Sequence, residues 1–173
     1  MSEKANRSQS GDGKYTIGPY TMDISAVDAM IGNKGDVETL TAAKTLLKSD
    51  MNRIYVLNNA AAFAVNLPAI SNADAGLWAE FWIQTTVTSV GSTIVAQTGD
   101  LLEGFLFLSK ATDYVVNMAY FAADESNDLT ITQNGTTTGG LIGSKVRVQA
   151  NNNGYWTVSG IVLGSSTLAT PFS

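Results

Sequence analysis

Glu80 stands two residues from Trp78 and two from Trp82. Side chains alternate faces along a strand, so in a strand these three project together. A carboxylate between two indoles has the parts to act as an acid or to grip a sugar, because a pyranose ring stacks on an aromatic face. Two tryptophans in a strand serve more often as core or interface aromatics, and that reading is preferred. Glycoside hydrolysis needs two carboxyl groups held roughly 5–9.5 Å apart, and nothing in the sequence pairs Glu80 with Asp100 or Glu103.

Three further groupings invite a chemical reading. Asp124, Glu125, Ser126, Asn127 and Asp128 offer oxygen ligands for Ca²⁺ but lack the spacing of a calcium loop, so they read as a surface turn. Asn72 and Asp74 read as an ordinary turn. Gly139, Gly140 and Gly143 precede Ser144-Lys145, the reverse of the Lys-Ser/Thr order of a phosphate loop, and read as a flexible connection between strands.

The chain has no His and no Cys. This removes histidine-dependent nucleophile systems, thiolate metal sites and disulfides. The expectation is a non-enzyme with no catalytic residue, no metal and no cofactor. The net charge is -5 and the pI about 4.5, and no Lys or Arg lies between Arg53 and Lys110. Such a chain is a poor partner for nucleic acid or for an anionic membrane. No apolar run reaches the ~20 residues that span a bilayer. Lys4 and Arg7 are not followed by an apolar stretch of the secretory type, so synthesis in a cytoplasm without export is expected.

Charge divides the chain. Residues 1–38 hold ten of the 25 charged residues together with Gly11, Gly13, Gly18, Pro19, Gly32 and Gly35, and read as an extended N-terminal arm. Ser25 and Asp28 suggest one short helix through Ile31. Residues 39–173 read as a β-rich domain. Its strand signals are 53–57, the alternation Phe63, Val65, Leu67 closed by Pro68, and the alternation Leu77, Ala79, Phe81, Ile83. Further runs follow at 93–95, 101–108, 129–132, 145–148 and 155–163. Residues 114–121 fit a strand better than a helix among such neighbours. Asn134-Gly135 and Asn153-Gly154 mark turns. Many short runs separated by turns predict an all-β fold, either an antiparallel β-sandwich or a β-barrel-like domain. Trp156 alternates with Val158 and Val162 and is read as core, and Gly160 as a point of close backbone approach. The uncharged end, 148–173, is read either as a core strand with a polar tail or as a tail that packs on a partner. Candidate interface residues are Tyr15, Tyr20, Trp78, Trp82 and Phe172.

The run LLKSDMNRIYVLNNAAAFAVNLP at 46–68 is followed by AGLWAEFWI at 75–83, STIVA at 92–96, GDLLEG at 99–104 and NGYWTVSG at 153–160. In that order, the motifs resemble a pattern of bacteriophage virion structural proteins, among them capsid decoration (cement) proteins and parts of tail fibres or spikes. The resemblance spans roughly residues 40 to 163. It implies a β-sandwich-like fold, a homotrimer and no catalysis. The expected role is that of a decoration protein on the capsid surface, bound to the major capsid protein, with the charged arm lying across capsid subunits. The alternative is a fibre or spike module that binds a host receptor through Trp78 and Trp82. The stretch 105–143, with Phe107, Tyr114, Tyr120 and Phe121, departs from the pattern and leaves strand order and trimer contacts open.

Overall fold

The computed structural model describes residues 7–9, 14–17, 20–23, 36–88, 90–111, 118–124 and 126–173. The chain divides into two units, Met1–Asp36 and Val37–Ser173. In the first, β1 (Arg7–Gln9), β2 (Lys14–Ile17) and β3 (Tyr20–Asp23) form a three-stranded antiparallel sheet. Part of the segment expected to be an extended arm is therefore sheet. The expected helix from Ser25 to Ile31 lies outside the described residues, as does Tyr114.

The regular structure of the second unit is strand, mostly alternating in burial, apart from two single 3-10 turns at Lys48–Asp50 and Asn72–Asp74. The strands are β4 (Val37–Leu40), β5 (Lys44–Thr45), β6 (Arg53–Leu57), β7 (Ala64–Asn66), β8 (Trp78–Ile83), β9 (Ser92–Val95), β10 (Leu102–Lys110), β11 (Met118–Ala122), β12 (Thr130–Gln133), β13 (Lys145–Ala150) and β14 (Trp156–Gly164). They form two sheets, one of order β11-β10-β14-β13-β8-β6-β4 and one of order β12-β9-β7-β5. Neither closes into a barrel.

The pairing differs from the antiparallel expectation. Within this unit five ladders are parallel and four antiparallel. The parallel ones have a common origin. The chain passes from the large sheet to the small one and back, through β4-β5, β6-β7 and β8-β9. Each pass lies parallel to the previous one in both sheets. This is a two-sheeted solenoid of three rungs, in which each rung covers the apolar edge of the last. β12 and β13 then lie antiparallel on β9 and β8 and end the parallel stack in both sheets. β13 turns through Asn153-Gly154 into β14, against which β10 lies parallel.

Alternation explains why the rungs stack. Tyr55 and Leu57, Val65 and Leu67, and Ala79, Phe81 and Ile83 point inward and are buried in one cluster with Ile94, Val146, Val148 and Trp156. Tyr55 stacks on Phe81 with ring centroids 5.6 Å apart, and its hydroxyl donates to the Asp50 carbonyl at 2.6 Å. Gly160 shows why a side chain is excluded there. Its φ is 154°, and a Cβ would lie 2.2 Å from the Lys145 carbonyl oxygen.

Candidate functional site

The outer face of the seven-stranded sheet gathers most of the exposed apolar surface. Register places Thr39 beside Val56, Val56 beside Trp82, Trp82 beside Lys145, Lys145 beside Ile161, Ile161 beside Phe107, and Phe107 beside Tyr120. One unbroken row thus crosses all seven strands. A second row runs Val37, Ile54, Glu80, Arg147, Ser159, and Phe105 faces Ala122 further along the sheet. Nine large apolar residues are exposed among those described, and six of them, Val37, Phe105, Phe107, Met118, Tyr120 and Ile161, belong to this face. The alternation of β10 explains the two phenylalanines. Leu102, Leu106 and Leu108 turn inward and are fully buried, so Phe105 and Phe107 turn outward, where their rings meet edge to face at 5.3 Å.

The charges on this face are largely matched among themselves. Lys145 Nζ lies 4.1 Å from the Trp82 ring centroid and the Arg147 guanidinium 4.4 Å from that of Trp78. Glu80 accepts a 2.5 Å hydrogen bond from Trp82 Nε1 and lies 4.0 Å from Arg147. Two open clefts border these groups. One of about 520 Å³ is lined by Glu80, Lys145, Arg147, Ser159, Ile161 and Leu163. The other, about 490 Å³, is lined by Thr39, Val56, Trp82, Gln84, Ile142 and Lys145.

The carboxylates do not converge. Glu103 accepts from Asn151 Nδ2 at 2.6 Å and from Thr157 Oγ1 at 2.5 Å. It sits on β10, three strands from Glu80 on β8, a separation of roughly 14 Å at ~4.8 Å per strand. Asp100 is buried and accepts from the Ile70 N–H at 2.8 Å. Asp124 is committed to its own turn, accepting from the Ser126 hydroxyl at 2.6 Å and backbone N–H at 3.0 Å. The Ser126 hydroxyl is the main cause holding its carboxyl below the usual range. Glu125 lies outside the described residues. No group of three metal-binding side chains occurs among the described residues. The glycine loop, expected to be flexible, is instead pinned. Thr138, Gly139 and Gly140 are buried, the Leu141 N–H donates to Leu163 and the Gly143 N–H to Ile83.

Asp74 closes the short turn Asn72–Asp74, accepting from the Ser71 N–H at 2.8 Å and hydroxyl at 2.7 Å. A 2.8 Å hydrogen bond from Lys48, followed by that from Ser71, holds its carboxyl down from 3.8 to about 2. The folded form thus has the lower pKa, so the stabilisation is complete above the unfolded value and fades as pH falls from there to about 2. Lys48→Ala should return the Asp74 titration toward the usual carboxylate range in an NMR pH series, and an unmoved midpoint would show that Ser71 alone suffices.

Trp78 and Trp82 lie on the outer face as their spacing predicts. Tyr15 and Tyr20 are on β2 and β3 of the first unit. Phe172, expected at an interface, is instead 5% exposed and part of the core. Its segment folds back on β12, where the Thr132 N–H donates to the Pro171 carbonyl at 2.8 Å and Phe172 bridges Ile131. The expectation pointed to a tail, but the apolar ring is satisfied within its own chain. Phe105, Met118 and Ile161 were not legible as surface residues, since each lies in an apolar run. Comparisons with protein-family models, curated proteins and solved structures return no match for this chain.

Proposed function

We propose that this chain is a bacteriophage head decoration protein, an adhesion module without a reactive centre that lays the outer face of its large sheet on major capsid subunits. The observation that carries the reading is the cross-sheet row from Thr39 to Tyr120, with Phe105, Met118 and Val37 beside it. An apolar patch of this extent on a sheet marks an interaction surface. Its residue types, Trp, Phe, Tyr, Met and Arg, are those enriched at interface centres. The motif order at 46–68, 75–83, 92–104 and 153–160 supports the assignment to a virion.

The charged segment before β4, residues 1–36, supplies the second contact in this proposal, lying across neighbouring subunits. The full-length chain should co-sediment with capsid shells that lack it, and a form beginning at Val37 should bind them at least tenfold more weakly while melting at a similar temperature. Equal affinity of the two forms would remove the role of the segment. Failure of the full-length chain to bind shells would remove the head assignment.

The paired indoles support a second reading, a fibre or spike module that binds a host glycan. It is the weaker one, because a cation already covers one face of each ring and Trp82 Nε1 already holds Glu80. Adsorption unaffected by Trp82→Ala would eliminate it.

A further inference from the structure

A sheet edge presents unpaired N–H and C=O groups to which another strand can add. The two sheets of the second unit have four edges, β4, β11, β5 and β12, and three of them carry a protective device. β4 bears Glu38, which is paired with Lys44 at 2.6 Å and Arg53 at 3.3 Å. β5 is two residues long and includes Lys44. β12 is covered by the chain's own segment 171–173, with Thr130 and Ser173 exchanging hydrogen bonds of 2.7 and 3.1 Å.

Among the described residues, β11 has none of these devices. Its sequence, Met-Ala-Tyr-Phe-Ala, contains no charge and no proline, and its register with β10 runs without a bulge. The Ala123 N–H donates to the Gly104 carbonyl at 3.0 Å. Alternation along an antiparallel strand then turns the backbone groups of Ala119 and Phe121 toward β10, and those of Met118, Tyr120 and Ala122 away from it. Met118 and Tyr120 are also 54% and 72% exposed.

We propose that β11 pairs antiparallel with β11 of a second copy of this chain, about a two-fold axis through Tyr120. The strand is self-complementary about that residue. Tyr120 faces its counterpart, and on each side the large Met118 meets the small Ala122. The outward groups of these three residues supply about six backbone hydrogen bonds. A two-fold contact sets the residue at its axis against its own copy and pairs every other residue i with j and j with i, so β11, which carries no charge, meets its counterpart without like-charge repulsion. β11 and the neighbouring Phe105, Phe107 and Ile161 form an uncharged patch. Pairing joins two seven-stranded sheets and carries the apolar row across the axis. The inference is independent of what the outer face binds.

Native mass spectrometry and sedimentation of the full chain should give a concentration-dependent species of twice 18.2 kDa. Tyr120→Lys sets two like charges opposite each other and should raise the dimer dissociation constant about a hundredfold, with unchanged circular dichroism and with unchanged melting at concentrations where the parent is monomeric. The chain has no cysteine, so Tyr120→Cys should give a single disulfide-linked pair on oxidation, because facing Cα atoms in an antiparallel ladder are about 4.5–5.5 Å apart, within bridging distance. A monomer at all concentrations would overturn the inference. So would the trimer that the virion resemblance implies, an assembly that Tyr120→Lys leaves intact, or a Tyr120→Cys chain that stays unlinked.

Discussion

Trp156→Ala should destabilise the second unit by about 3–5 kcal/mol, the usual cost of emptying a large aromatic site in a core. The side chain is fully buried at the start of β14, where Leu102 of β10 pairs it on one side and Ala150 of β13 on the other. It therefore fills the junction between the antiparallel hairpin and the parallel β10–β14 ladder. Its Nε1 has no hydrogen-bond partner, so the residue contributes by volume and apolar contact, not by a polar anchor. Trp156→Phe should accordingly cost far less than Trp156→Ala, since it keeps an aromatic ring and removes an N–H that was already unpaired. Thermal unfolding should place the alanine variant roughly 10 °C below the parent, at about 2–4 °C per kcal/mol for a chain of this size. Equal melting of the alanine and phenylalanine variants would show that the indole volume is not what the core needs.

The elements legible in the sequence are those in which one face is apolar and the other is not. β8 alternates Trp78, Glu80 and Trp82 outward with Ala79, Phe81 and Ile83 inward, and the structure follows that pattern residue by residue. β14 reads the same way, with Trp156, Val158 and Val162 buried and Gly160 at a close approach. β4 and β5 were not legible. β5 is two residues long, and β4 carries Glu38 on its inward side, held by Lys44 and Arg53. Parallel pairing was not legible either. Alternation states which face of a strand is buried but not which strand lies beside it, and here the neighbour is fixed by crossovers between sheets. Asn134-Gly135 shows the same limit. It does turn the chain, with Asn134 Oδ1 accepting from the N–H groups of Thr136, Thr137 and Thr138. The strands it connects lie in different sheets, however, so it is not a hairpin. The adhesive face was hidden for a related reason, because in β10 both the inward leucines and the outward phenylalanines are apolar.

Replacing Phe107 and Ile161 together by threonine should weaken binding to capsid shells by about a hundredfold while leaving the fold intact. The two residues are register partners on β10 and β14 and sit at 41% and 56% exposure, so they lie within the row and outside the core. Threonine keeps the strand preference of a β-branched residue and removes most of the apolar area. Within the chain, the cross-strand pair that the change removes is worth only ~0.2–1 kcal/mol. Truncating two side chains at the centre of an interface commonly costs more than about 2 kcal/mol of binding. Stability and binding should therefore separate, and that separation is what distinguishes an adhesive face from a merely packed one. Val90 and Leu47 provide the control, being 94% and 64% exposed and apolar but absent from the row. Their threonine variants should bind shells like the parent. Because the row is mostly apolar and Lys145 within it already lies over the Trp82 ring, binding by the form that begins at Val37 should persist as salt is raised, unlike a contact made by charge, which salt screens. Parent-like binding by the Phe107 and Ile161 variant would move the docking surface off this sheet. An equal loss in the Val90 and Leu47 variants would mean that exposed apolar side chains act wherever they lie and that the row has no special standing.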